Sequence, residues 1–162
     1  MRALQYHHTT DLDTAFRMAR DLGASVVVLD VHGTVASFDV QGVSLQHAAA
    51  EAIELAGTLG LADIVLLSNA RLPFTSRDIG VPVTERARKP WRRLPRLRHR
   101  RDAVVIGDQL ITDGFLAWRL GAPFVHCTPY SRQAPALPRA QHLIGRCLRR
   151  TLMSGHQSDG VE

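Results

Sequence analysis

The sequence predicts an α/β fold built on one doubly wound, Rossmann-like parallel sheet, and three observations carry that expectation. The stretch Ser25–Asp30, Ser-Val-Val-Val-Leu-Asp, is apolar without polar alternation. A strand covered on both faces, as in a parallel sheet, reads that way. Similar short runs recur at Asp63–Leu67 and Ala103–Ile106, and the runs end in Asp30, Ser68-Asn69 and Gly107-Asp108. Between them lie stretches with apolar residues at helical spacing, the alternation expected of parallel strands joined by crossover helices. At 162 residues the chain fits one domain with a substantial core. We expect that domain to span residues 1–152 in three layers, without an insertion large enough for a cap domain, and residues 153–162 to form a polar, disordered tail.

In chain order, Thr10–Leu22 reads as an amphipathic helix, with Leu12, Ala15, Phe16, Ala19 and Leu22 on one side. Thr10 with Asp13 resembles a capping box, and Gly23 stops the helix. The strand Ser25–Asp30 follows, then Val35–Gly42 as a loop or short β flap. Ser44–Leu59 is a second helix, stopped by Gly60. Asp63–Leu67 is a strand, Arg71–Gly80 a short helix or loop interrupted by Pro73, and Val81–Val83 a brief strand. Arg86–Arg101 is densely basic and broken by Pro90 and Pro95. The strand Ala103–Ile106, a helix over Leu110–Leu120 stopped by Gly121, and a strand over Pro123–Cys127 complete the alternation. A basic amphipathic helix follows Pro135 and Pro138, with Leu143, Ile144 and Leu148 on one side and Arg146, Arg149 and Arg150 on the other.

Hydrophobic content of 45% and charged content of 22% are ordinary for a soluble protein. No apolar run is long enough for a membrane span and the N-terminus lacks the core of a signal peptide, so a cytoplasmic location is expected, with membrane-peripheral contact left open. Cys127 and Cys147 form neither a metal-like spacing nor a disulfide framework, which fits reduced thiols. The net charge of +5 favours an anionic partner: a phosphorylated substrate, nucleic acid or an acidic membrane surface. Lys89 is the only lysine among many arginines, which hints at a task that needs a compact ammonium. His7, His8 and His126 have no evident partner, and Trp91 and Trp118 are expected to pack.

In a parallel sheet, strand ends of one sense lie along one edge. Asp30, Ser68 and Asp108 should therefore converge, with Asp113 close behind Asp108 and Lys89 between the second and third of the strands that end in them. Clustered carboxylates are what Mg²⁺ selects. A hydroxyl and an ammonium beside such a metal can hold phosphate oxygens. An Asp facing a phosphate can act as a nucleophile and form an aspartyl-phosphate. Read singly, Asp30 and Ser68-Asn69 are also plain turn formers, and Asp108 with Asp113 a loop and helix cap.

The set Asp-Val-His-Gly-Thr at 30–34, Ser68, Lys89 and Gly-Asp-Gln-Leu-Ile-Thr-Asp at 107–113 resembles the motifs of the haloacid-dehalogenase (HAD) superfamily of phosphatases. The last motif and the pattern from Thr9 through Leu29 resemble the small, capless YqeG-like branch (subfamily IIIA), which is similar to phosphatidylglycerophosphate phosphatases. The resemblance runs from about Thr9 to Leu152. It implies an HAD-like fold and a Mg²⁺-dependent phosphomonoester hydrolase acting through an aspartyl-phosphate, with a lipid or other large phosphorylated molecule as the candidate substrate. It makes Asp30 the nucleophile and a metal ligand, and assigns further ligation to the backbone carbonyl of His32, to Asp108 and to Asp113. Ser68, with Asn69 beside it, would grip the phosphoryl group and Lys89 would neutralise charge between Asp30 and phosphate.

The departure is His32, where the superfamily's phosphatases carry an acid/base Asp. A histidine can do both acid and base work, since its unperturbed pKa of about 6.5 lies near working pH. The alternative is a catalytically weak or inactive phosphate-binding scaffold, with His32 as the lesion. A third reading, nucleic-acid binding by the Arg86–Arg101 segment, lacks a recognised reading motif, so nucleic acid is not the expected partner. That segment reads either as a solvated face or as a guide for a polyanion, and the C-terminal basic helix as core packing or membrane contact.

Overall fold

The computed structural model describes residues 4–89, 91, 97, 102–131 and 135. Its strands are β1 (Tyr6–Thr9), β2 (Val26–Asp30), β3 (Asp63–Leu67), β4 (Val83–Thr84), β5 (Ala103–Gly107) and β6 (Phe124–Cys127). The helices are α1 (Leu12–Asp21), α2 (Gly42–Thr58), α3 (Ser76–Ile79) and α4 (Phe115–Leu120), with a π-helical turn over Leu110–Gly114 leading into α4. The strands form a single six-stranded sheet in the order β1-β6-β5-β2-β3-β4, and every pairing is parallel.

The unalternated run that defines β2 is explained by its place between β5 and β3, where each of its residues is buried. Side chains alternate across a strand. Val27 and Leu29 join Ile64, Leu66, Val104 and Ile106 in one core, beneath Phe16 of α1 and Leu45 of α2. Val26 and Val28 join Leu67 and Val105 in a second core, with Leu116 and Ala117 of α4. From β2 the chain runs through α2 to β3 and on to β4 on one side. On the other side β5 leads through α4 to β6. The carboxyl ends of β2 and β5 thus lie side by side where the strand order reverses, the crevice in which open α/β sheets bind ligands.

Several expectations are corrected. Tyr6–Thr9, which has no apolar alternation, forms β1 by pairing with β6 at the sheet edge, Tyr6 opposite Phe124 and Thr9 opposite Cys127. Helix α1 is capped by Asp11, whose carboxylate accepts from the Thr14 N–H at 2.7 Å, and not by a Thr10–Asp13 box. Asp13 sits inside the first turn and pairs with Arg17 at 2.6 Å. Of the two readings for 35–42, loop or flap, the loop holds: Val35, Ala36 and Ser37 are buried, with the Val35 N–H donating to the Val31 carbonyl at 2.9 Å. Trp91 and Trp118 are not packed inside. They are 73% and 39% exposed, and both rings lie against Phe115 at centroid distances of 6.1 and 5.1 Å. The expected C-terminal helix, the tail over 153–162, Cys147 and most of the basic segment lie outside the described residues. No helix among the described residues is long and apolar enough to cross a membrane.

Phe16 is fully buried and joins α1 to the sheet, remote in sequence from the strand-end residues. Phe16→Ala should destabilise the chain by about 3–5 kcal/mol through lost burial and the cavity left behind. Urea unfolding followed by far-UV circular dichroism measures it.

Candidate functional site

Asp30 is the last residue of β2, Asp108 follows β5, and Asp113 returns from the π turn. All three are buried, and among the described residues they form the group of carboxylates able to hold a metal ion, with their oxygens within 4.8 Å of one another. The approach depends on two glycines. A Cβ on Gly107 would fall 2.5 Å from the Asp113 carboxyl carbon. Gly33 adopts φ +87°, a conformation that L side chains rarely adopt, and a Cβ there would collide with the Asp108 carboxylate and lie 2.6 Å from Phe38.

Lys89 enters the cluster from the other side of β2. Its buried ammonium bonds Asp30 and lies 2.7 Å from Asp113. The loop that delivers it is laced to the loop after β3. The Arg86 N–H donates to the Ala70 carbonyl at 3.1 Å, the Ala87 N–H to the Ser68 carbonyl at 2.8 Å, and the Lys89 N–H to Asn69 Oδ1 at 2.7 Å. Arg86 and Arg88 hold φ of +47° and +48°, so local backbone strain is accepted in order to aim the lysine.

The sequence-derived residues therefore meet, with their contacts revised. Ser68 is buried, and its hydroxyl accepts from the Ala70 N–H and lies 3.1 Å from Nδ1 of His32, so the serine holds the histidine ring. Asn69 orients Lys89 through its backbone, a role the sequence did not suggest. Gln109, also missed, donates its N–H to Asp113 Oδ2 at 3.2 Å. His126 was noted without a partner, and its Nε2 is 2.7 Å from the Asp108 carbonyl oxygen. Neither contact has a sequence signal, because the first needs the π turn and the second the β5–β6 register.

Electrostatics follow from burial. Removal from water pushes Asp108 up to about 8, helped by the charge of Asp113 and opposed by Lys89. Burial likewise raises Asp30 well above the carboxylate range; Lys89 opposes the rise while Asp113 and Asp108 add to it. Burial alone would lower Lys89, but the Asp113 and Asp30 carboxylates outweigh it and keep the ammonium charged. His32 is lowered by burial and then by the charge of Lys89. Burial also pushes the Cys127 thiol up to about 12, leaving it unreactive. An all-carboxylate donor set suits a hard divalent cation.

A cleft of about 1190 Å³ opens from the cluster. Asp30, His32, Ser68 and Lys89 line it together with Phe38, Arg71, Pro73 and Phe74.

No family model, curated protein or solved structure matches this chain.

A proton held on Asp108 links stability to pH. The folded value of about 8 lies above the usual carboxylate value of about 4. Between those values the native chain keeps a proton that the unfolded chain has released, so stability falls as pH rises. In chelator, wild type should lose up to about 1.4 kcal/mol per pH unit relative to Asp108→Asn as pH climbs towards 8, the linkage slope for one proton. Chemical denaturation of both proteins at several pH values gives the difference, and added divalent cation should reduce it.

Proposed function

We propose that this chain is a Mg²⁺-dependent phosphomonoester hydrolase of the HAD type, working through an aspartyl-phosphate on Asp30. The observation that carries the reading is one constellation. A buried strand-end Asp30 bonds the chain's only lysine within a carboxylate cluster, at a cleft that His32 and Ser68 also line. When bound, the cation would be held by Asp30, Asp108 and Asp113, with the His32 carbonyl that the resemblance assigns, and would neutralise phosphate charge.

The chain's own groups then divide the work. Lys89 and Ser68, which line the cleft, would bind phosphate oxygens. An Asp30 oxygen bonds phosphorus as the ester P–O bond breaks, and the leaving oxygen takes its proton from solvent water. Water next attacks phosphorus, its proton passes to His32, and the Asp30–phosphorus bond breaks to free the carboxylate and inorganic phosphate. Ser68 engages Nδ1, so Nε2 is the nitrogen left for substrate and water. A neutral imidazole suits the second step better than the first, and the lowered pKa of His32 favours the neutral form.

The cleft exceeds what a phosphoryl group needs, which supports a substrate with a sizeable leaving group. The exposed Trp91 and Trp118 and the +5 net charge are compatible with meeting that substrate at an anionic surface. One observation favours the second reading, a phosphate-binding scaffold: a neutral imidazole at position 32 cannot protonate an alkoxide leaving group as the family's Asp does.

Asp30→Asn should abolish phosphate release in a Mg²⁺ assay over a panel of phosphomonoesters while leaving the circular dichroism spectrum unchanged. Full turnover by that variant would eliminate the covalent mechanism.

His32→Ala should lose about two to four orders of magnitude in rate, the usual share of general acid–base catalysis. As a base His32 works deprotonated, so wild-type rate should rise with pH along a limb below about 6.5 and level off above it. The limb should vanish in His32→Ala. A wild type inactive on every ester, beside an active His32→Asp, would decide for the scaffold.

A further inference from the structure

We infer that His126 is a positioning residue for the carboxylate cluster, acting with Tyr6 on the peptide that joins Asp108 to Gln109. This rests on the reading of Asp30, Asp108 and Asp113 as a cation site. In β6, His126 lies in register with Gly107 of β5. Its Nε2 is 2.7 Å from the Asp108 carbonyl oxygen, and its Nδ1 is 2.9 Å from the Tyr6 hydroxyl. A carbonyl oxygen only accepts, so Nε2 carries the proton and donates it. In the neutral ring Nδ1 is then an acceptor, and the Tyr6 O–H donates to it. Ring contacts hold the imidazole in place: Phe124 lies 5.7 Å away at 26°, and His8 5.3 Å away at 55°.

The other end of the same peptide reaches the cluster. A trans peptide is planar, and its C=O and N–H point in opposite directions. Here the C=O of Asp108 accepts from His126, and the N–H of Gln109 donates to Asp113 Oδ2 at 3.2 Å. Fixing this one plane sets the backbone that carries the Asp108 carboxylate and aims the donor that holds Asp113. Asp113 in turn pairs with Lys89, which bonds Asp30. An edge-strand tyrosine is thereby joined to the nucleophile position through β6, β5 and β2. Hydrogen-bond partners behind a metal site typically matter about 10–100-fold in affinity.

The test is titration of the purified full chain with Mn²⁺ alone, free ion being followed by its electron paramagnetic resonance signal. His126→Phe keeps a ring and removes both nitrogens, and it should weaken Mn²⁺ binding by about 10–100-fold. His126→Gln retains a side-chain N–H donor and should recover most of that loss. Tyr6→Phe should lose less than His126→Phe. Leu61→Ala, which removes a buried side chain just before the start of β3, at the opposite strand ends from the cluster, should keep wild-type affinity and so separates positioning from general loosening. Wild-type affinity in His126→Phe, or equal losses in the Phe and Gln variants, would overturn the inference. If His126→Phe does not fold, wild-type affinity in both His126→Gln and Tyr6→Phe overturns it. A wild-type chain that binds no Mn²⁺ would instead refute the cation-site reading, and this inference with it.

Discussion

The strand-end edge depends on one buried interaction, the Lys89 ammonium between Asp30 and Asp113. Carboxylates so close together and out of water repel one another and bind protons, and Lys89 is the internal cation that limits both effects. A buried pair is weak evidence for stability, because desolvation offsets much of the attraction. Its worth here is positional. The strained Arg86 and Arg88 and the hydrogen bonds from 86–89 to 68–70 make sense as the cost of keeping an ammonium at that spot. A compact charge fits between two carboxylates where a planar guanidinium would need more room.

The same cluster explains why the site lies where the strand order reverses. Connections leaving β2 run one way and those leaving β5 the other, which places a crevice at the ends of those two strands. Lys89 lies on the long connection from β4 to β5, the crossing that passes from one side of β2 to the other. Both halves of the sheet therefore contribute, with Ser68 and Asn69 from the β3 side and Asp108 and Asp113 from the β5 side.

Sequence reading succeeded where one physical rule dominated. β2, β3 and β5 were legible because burial on both faces leaves an unbroken apolar run, and Asp30, Ser68 and Asp108 because parallel strands put like ends together. It failed where tertiary context decided. Tyr6-His7-His8-Thr9 carries no strand pattern and becomes β1 only by joining β6. The capping role passed from Thr10 and Asp13 to Asp11 through a shift of the helix start. Trp118 follows buried Leu116 and Ala117 yet turns outward, since among the described residues α4 is covered on one side. His32, Ser68 and Lys89 were found as residues, but the His32–Ser68 contact and the Asn69–Lys89 contact appear only in three dimensions.

The π turn over Leu110–Gly114 carries a consequence of a different kind. It was expected as ordinary helix, but it holds an extra residue, with the Gly114 N–H reaching back to the Gln109 carbonyl at 3.3 Å. Each residue of a helix advances the side-chain direction by about 100°. Inserting or deleting one residue there would swing Asp113 out of the crevice even if every side chain were kept. The segment is thus rigid in length, and burial of Leu110, Thr112 and Gly114 constrains its composition as well. In any chain sharing this architecture, the spacing from Asp108 to Asp113 would be a signature in its own right, beside the amino acids that fill it.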